Sequence, residues 1–229
     1  MKHLLFPLAG YRVFSRRASN LQTALSNDPE LMKSILSSIL ITALVCVSAH
    51  AQDINKPAPA FTAKTAVGET VSLSDLKGKV VVLEWTNYDC PFVLKHYTGG
   101  STPKLQAEAA AKGVVWLSVN SSAPGKQGHF EPQALVAKAA ERGAKPTHLI
   151  LDANAKIGRA YDAKVTPQMF IINAEGIIVY NGAIDSKPST DAADIATAEP
   201  LFSNALTAVL EGKPVVNGKN EPYGCTVKY

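Results

Sequence analysis

Residues 80–85 read Val-Val-Val-Leu-Glu-Trp, and five residues after Trp85 a cysteine stands directly before a proline, Cys90-Pro91. An apolar, β-branched run with almost no alternation marks a strand buried on both faces of a sheet, as in α/β proteins. The polar stretch Thr86-Asn87-Tyr88-Asp89 then reads as a turn. Proline is favoured at the first position of a helix, where its missing N–H needs no partner. The order is therefore strand, turn, helix, with Cys90 at the helix N-terminus. Free backbone N–H groups and the helix dipole favour a thiolate there, the form of cysteine that attacks disulfides and peroxides.

The rest of the chain keeps the α/β rhythm. Short strands are expected at 61–64 and 70–73, and further ones at 114–119 and 148–151. The helix from Pro91 is expected to stop at Gly99-Gly100 and resume over 103–112. An alanine-rich helix follows at 132–142, and a short one at 155–161. Strands 169–173 and 177–180 form a hairpin that turns at Ala174-Glu175-Gly176. Over 199–211, Leu201, Phe202, Ala205, Leu206, Val209 and Leu210 share one helical face. The tail, 214–229, holds Gly, Asn and Pro and is expected to cross the surface, carrying Cys225.

Upstream, Met32-Lys33-Ser34 is a basic start, 35–48 is an apolar run, and Ala49-His50-Ala51 precedes Gln52. This order reads as a secretory signal peptide. The run is about 14 residues, short of the ~20 needed to span a bilayer. The expectation is a start at Met32, with 1–31 an extension, 32–51 a leader that is removed, and 52–229 one exported, periplasmic domain without a membrane anchor. The domain from Gln52 has 178 residues, 18 of them Lys or Arg and 17 Asp or Glu, so a net charge of +4 falls to +1. Nothing in that balance favours nucleic acid or an anionic membrane. Cys90 and Cys225 are the two cysteines it keeps, in a compartment that favours disulfides.

Several fragments are informative together: Pro57-Ala58-Pro59-Ala60-Phe61, the stretch 68–79, Asp89-Cys90-Pro91-Phe92-Val93, Lys95-His96-Tyr97, Val165-Thr166-Pro167 and Gly224-Cys225-Thr226-Val227-Lys228. In this order and spacing the chain resembles the thioredoxin superfamily, in its redoxin or peroxiredoxin-like branch, over about 57–229. The resemblance implies an α/β thioredoxin-like fold: a central mixed sheet flanked by helices, with an N-terminal β-hairpin extension. It also implies a thiol-based oxidoreductase that uses no cofactor. Its substrate would be a protein or small-molecule thiol, disulfide or hydroperoxide, and an external thiol would be its reductant.

The resemblance also assigns roles. Cys90 would be the nucleophile, and Glu84, six residues earlier, a buried acid that takes and returns its proton. Thr166-Pro167 would be a cis-proline turn facing Cys90, whose backbone pairs with substrate. Trp85 and Asn87 would contribute to substrate binding, with Tyr88, Tyr97 and Tyr161 lining the site, although aromatic residues near a strand end are more often core. Position 93, where a thioredoxin carries its second cysteine, is Val93. Cys225 is left as a resolving thiol, half of a structural bridge, or free. Asp89 would oppose a thiolate, whereas Lys95 and His96 either offset it or are ordinary helix-surface residues. His129 and His148 have no ligand spacing, so no metal site is expected. Asn87 stands where peroxiredoxins place a hydroxyl residue and Pro167 where they place an arginine. Only Arg142 and Arg159 remain after Gln52. These departures favour thiol–disulfide exchange over a thiol peroxidase, and a non-enzymatic binding module with a structural disulfide stands as the alternative from another class.

Overall fold

The apolar run forms a central strand of a six-stranded sheet. A computed structural model describes residues 54–229; the expected extension and leader lie outside them. Chain order is β1 (Lys56–Pro57), β2 (Thr62–Lys64), β3 (Thr70–Ser72), β4 (Val81–Trp85), α1 (Pro91–Thr98), α2 (Ser101–Ala111), β5 (Val115–Asn120), α3 (Pro132–Glu141) and β6 (His148–Leu151). It continues with α4 (Lys156–Ala160), β7 (Val165–Thr166), β8 (Gln168–Ile172), β9 (Ile177–Gly182), α5 (Leu201–Leu210) and β10 (Cys225–Thr226). The sheet runs β1-β9-β8-β4-β5-β6. β4, β5 and β6 are parallel, while β8 and β9 are antiparallel to their neighbours. The fold is thioredoxin-like α/β, a mixed sheet flanked by helices, and β2–β3 is the N-terminal hairpin.

Every residue of β4 is buried, because the two faces of the strand meet different layers. Val81, Leu83 and Trp85 pack with Leu117, Val119, Ile157, Tyr161 and Phe170. On the opposite face Val82 packs with Trp116, Met169, Ile171, Phe202 and Leu206. Burial on both sides explains why the strand reads as a run rather than an alternation. Glu84 falls on the Val82 face, in register with Ser118 of β5.

α2 begins at Ser101 rather than 103. Gly100, at φ 72°, redirects the chain after α1, and Pro103 then lies in the first turn, where a missing N–H is tolerated. Three two-residue strands, β1, β7 and β10, escaped the sequence pattern. β7 and β10, two residues each, pair antiparallel with Cys225 opposite Thr166 and Thr226 opposite Val165. The tail crosses the surface as expected and is fastened along its course. Asn181 N–H donates to the Gly218 carbonyl, Val227 N–H to the Lys164 carbonyl, and Ala123 N–H to the Lys228 carbonyl. The Tyr229 hydroxyl donates to the Ala163 carbonyl at 2.6 Å. Among the described residues no helix is long and apolar enough to cross a membrane.

Candidate functional site

Cys90 is the N-cap of α1 and Pro91 is its first residue, as the Cys-Pro order predicts. The turn before it is held by Asn87, whose carbonyl accepts from Cys90 N–H at 2.9 Å and whose Oδ1 accepts from Asp89 N–H at 3.0 Å. Asn87 Nδ2 donates to Gln127 Oε1 at 2.9 Å, and a side chain at Gly128 would collide with the Asn87 amide. Asn87 thus shapes the turn that delivers the sulfur, and its amide is committed to protein partners. Asp89 is exposed.

Cys90 is bonded to Cys225 with a Cα–Cα distance of 6.0 Å, inside the usual range for disulfides. The Thr166–Pro167 peptide is cis, and Cys90 Sγ lies 3.2 Å from the Thr166 carbonyl oxygen. Cys90, Cys225, Thr166 and Pro167 therefore meet at one place. Gly224 makes that meeting possible: at φ 143° it adopts backbone that side chains disfavour, and a Cβ there would run into the Thr166 carbonyl. Cys90 is 0 % exposed, whereas Cys225 is half-buried. The tail lies over the sulfur at the helix N-terminus.

Glu84 is buried and meets four neutral donors. Trp116 Nε1 and Ser118 Oγ donate to its Oε2 at 2.8 Å each, Gln106 Nε2 donates at 3.2 Å, and the Tyr97 hydroxyl donates to Oε1 at 2.8 Å. Burial holds its pKa above the ordinary carboxylate value, and the donors only partly offset this. None of these partners is a cysteine. The link to the sulfur is Tyr97, which packs with Tyr88 edge to face in the cluster that contains Cys90. Burial, then the Glu84 charge, pushes both tyrosine hydroxyls up. Trp85 alternates to the other face, where its ring packs on Tyr161 and Phe170 and its Nε1 donates to Ser121 Oγ. Trp85 and Tyr161 are core residues, with no ring surface left for a substrate.

Lys95 and His96 are not surface residues. Both are buried on α1. Lys95 Nζ donates to Asp185 Oδ2 at 3.1 Å, to the Lys187 carbonyl at 2.8 Å and to the Tyr223 hydroxyl at 3.3 Å. That hydroxyl in turn donates to Asp185 Oδ1 and lies 3.2 Å from His96 Nε2. His96 Nε2 is also 3.7 Å from Asp185 Oδ2, but its pKa is lowered to about 4, by burial first and with a contribution from the Lys95 charge. His96 is therefore neutral at pH 7, and the ion pair at this spot is Lys95–Asp185. Asp185 and Tyr223 carry no local sequence signal. They come from segments 90 and 128 residues from Lys95.

Among the described residues no group of three or more His, Cys, Asp or Glu side chains is placed to hold a metal ion. Comparison with curated proteins gives no match. Solved structures do match. An uncharacterised conserved protein from Geobacillus kaustophilus is 28% identical, with a TM-score of 0.65 over 78% of this chain and 93% of its own. A hypothetical protein from Sinorhizobium meliloti is 22% identical, with a TM-score of 0.65 over 77% and 94%. A Bacteroides thetaiotaomicron protein provisionally named a protein disulfide isomerase shares the fold at 21% identity and a TM-score of 0.52, over 69% and 91%. The redoxin family model matches residues 53–198, from before β1 through the cis-proline turn and both strands that follow it, and the chain belongs to the redoxin family.

Proposed function

We propose that this protein is a thiol–disulfide oxidoreductase whose redox couple is Cys90 and Cys225. One observation carries the reading. The cysteine at the start of α1 is bonded to a tail cysteine whose backbone is β-paired to the cis-proline turn. A sulfur at a helix N-terminus is a good nucleophile near neutrality and a good leaving group.

In the dithiol form, the Cys90 thiolate attacks a substrate disulfide. A sulfur–sulfur bond to Cys90 forms and one substrate thiolate leaves, taking a proton. The Cys225 thiolate then attacks Cys90 Sγ, closing the Cys90–Cys225 bond and releasing the second substrate thiolate. The substrate disulfide is reduced by two electrons, the protein dithiol is oxidised, and two equivalents of an external thiol restore it. Glu84 serves the site from behind as a proton reservoir, linked to the Cys90 cluster by Tyr97. An extended protein chain would compete with the tail for the edge of β7, which favours small thiols and disulfides as exchange partners. Peroxide chemistry has less support, because Arg142 pairs with Glu141 and Arg159 lies over the Tyr229 ring.

The test uses the chain from the exported fraction, whose intact mass begins at Gln52 on this reading. The oxidised protein is titrated with dithiothreitol while its circular dichroism is followed, and Cys225→Ser is incubated with glutathione disulfide. The bond opens with the fold retained, and the variant accumulates a glutathione adduct on Cys90. A bond that stays closed until the protein unfolds, with no adduct, makes the bridge structural and leaves the binding module as the reading.

A further inference from the structure

The buried polar group around Lys95 is not used by the exchange chemistry above, yet it joins α1 to the tail. Tyr223 lies two residues before Cys225. Its hydroxyl contacts the Asp185 carboxylate, Lys95 Nζ and His96 Nε2, and burial, then Asp185, pushes its pKa up. Its ring stands edge-on to Phe92 at 5.8 Å and beneath Lys95 Nζ at 5.5 Å. Phe92, Lys95 and His96 belong to the helix that begins at Cys90. The tail is thus fastened, just upstream of one cysteine, to the rigid element that presents the other. None of these contacts involves either sulfur. The β10–β7 pairing is only two residues long, too short to hold a strand in place unaided; downstream of Cys225 the tail is held by Val227 N–H on the Lys164 carbonyl and by Tyr229, and Tyr223 is its anchor on the upstream side.

We propose that Tyr223, seated on the Lys95–Asp185 pair, is the upstream positioning residue that, with the downstream anchors at Val227 and Tyr229, keeps Cys225 over Cys90 when the bond between them is open. This rests on the redox-couple reading. The residue touches neither sulfur; it acts by making ring closure an intramolecular step with a high effective concentration. Without it the dithiol form gains tail freedom that the disulfide form does not, so the equilibrium moves toward the dithiol. A residue that only stabilised the fold would stabilise both forms alike and leave that equilibrium where it is.

The experiment is a glutathione redox titration of the full chain, read as the fraction of Cys90–Cys225 bond by thiol labelling and mass, for wild type, Tyr223→Phe and Tyr223→Ala. Tyr223→Ala lowers the equilibrium constant for bond formation at least ~10-fold. Tyr223→Phe keeps the ring on Phe92 and lowers it by roughly 2- to 5-fold, a readout that survives if the alanine variant does not fold. During reoxidation with glutathione disulfide, Tyr223→Ala accumulates the Cys90–glutathione adduct, which wild type resolves. Equal constants in all three chains overturn the positioning role alone. A wild-type bond that no native titration opens overturns the redox couple, and this proposal with it.

Discussion

α1 serves two buried carboxylates, and they are housed in opposite ways. Tyr97 faces Glu84, which sits among neutral donors. Lys95 and His96, the two residues before it, face Asp185, which holds a cation. Burial alone does not decide what a carboxylate does. Among neutral donors, desolvation prevails and Glu84 is driven toward its protonated form. Beside Lys95, the acidic charge has a partner, and the cost of burial shifts to His96, which is kept neutral. The first arrangement suits a group that stores a proton. The second suits a fastening, an anion held to a cation by charge and hydrogen bonds.

The largest effect that distinguishes the two is removal of the cation. Lys95→Met leaves Asp185 buried without its counter-charge and destabilises the protein by about 3–5 kcal/mol in urea melts. A loss under ~1 kcal/mol, the range of exposed pairs, would show that Asp185 is effectively solvated. Next comes acid. The folded pKa of His96, about 4, lies below its ordinary 6.5, so the unfolded chain binds more protons between those values. The stability it contributes is complete above pH 6.5 and is lost as pH falls toward 4, by up to about 3 kcal/mol. His96→Gln flattens that acid loss in melts run from pH 7 to 4. The third effect has the opposite sign. Glu84 is raised above 4.5, so its stabilisation is complete below pH 4.5 and is lost as pH rises through its folded pKa, with a slope of at most ~1.4 kcal/mol per pH unit. Glu84→Gln abolishes that slope. If both variants bend the stability–pH curve the same way, the contrast between the clusters is not real.

What could be read in advance was local. β4 follows from its unbroken apolar run, and the start of α1 from Cys90-Pro91, because burial on two faces and a proline's missing N–H act within a few residues. The cis-proline turn and the pair of strands after it were legible through resemblance and through the turn residues 174–176. Glu84 stood out as an acid inside an apolar run, yet its donors Trp116, Ser118 and Gln106 come from elements that only the sheet register and the packing of α2 bring near. Trp85 shows the cost of proximity in sequence. It adjoins Glu84 and precedes the turn that carries Cys90, but strand alternation points it into the opposite layer. The burial of Lys95 was least accessible, since the cover over that face of α1 is the tail and the segment around Asp185.

The Cys90–Cys225 bond spans 135 residues, and so turns everything from α1 to β10 into one covalent ring. β1 to β4 hang from it as a branch, and the last residues as another. A protease that cuts once inside this ring, for instance after Lys126 in the exposed stretch 124–127, opens the ring without releasing a fragment. The product is one molecule, heavier by a water, that runs as two pieces only after reduction. Oxidation thus makes the chain tolerant of a single nick, and the same nick in the dithiol form divides it in two.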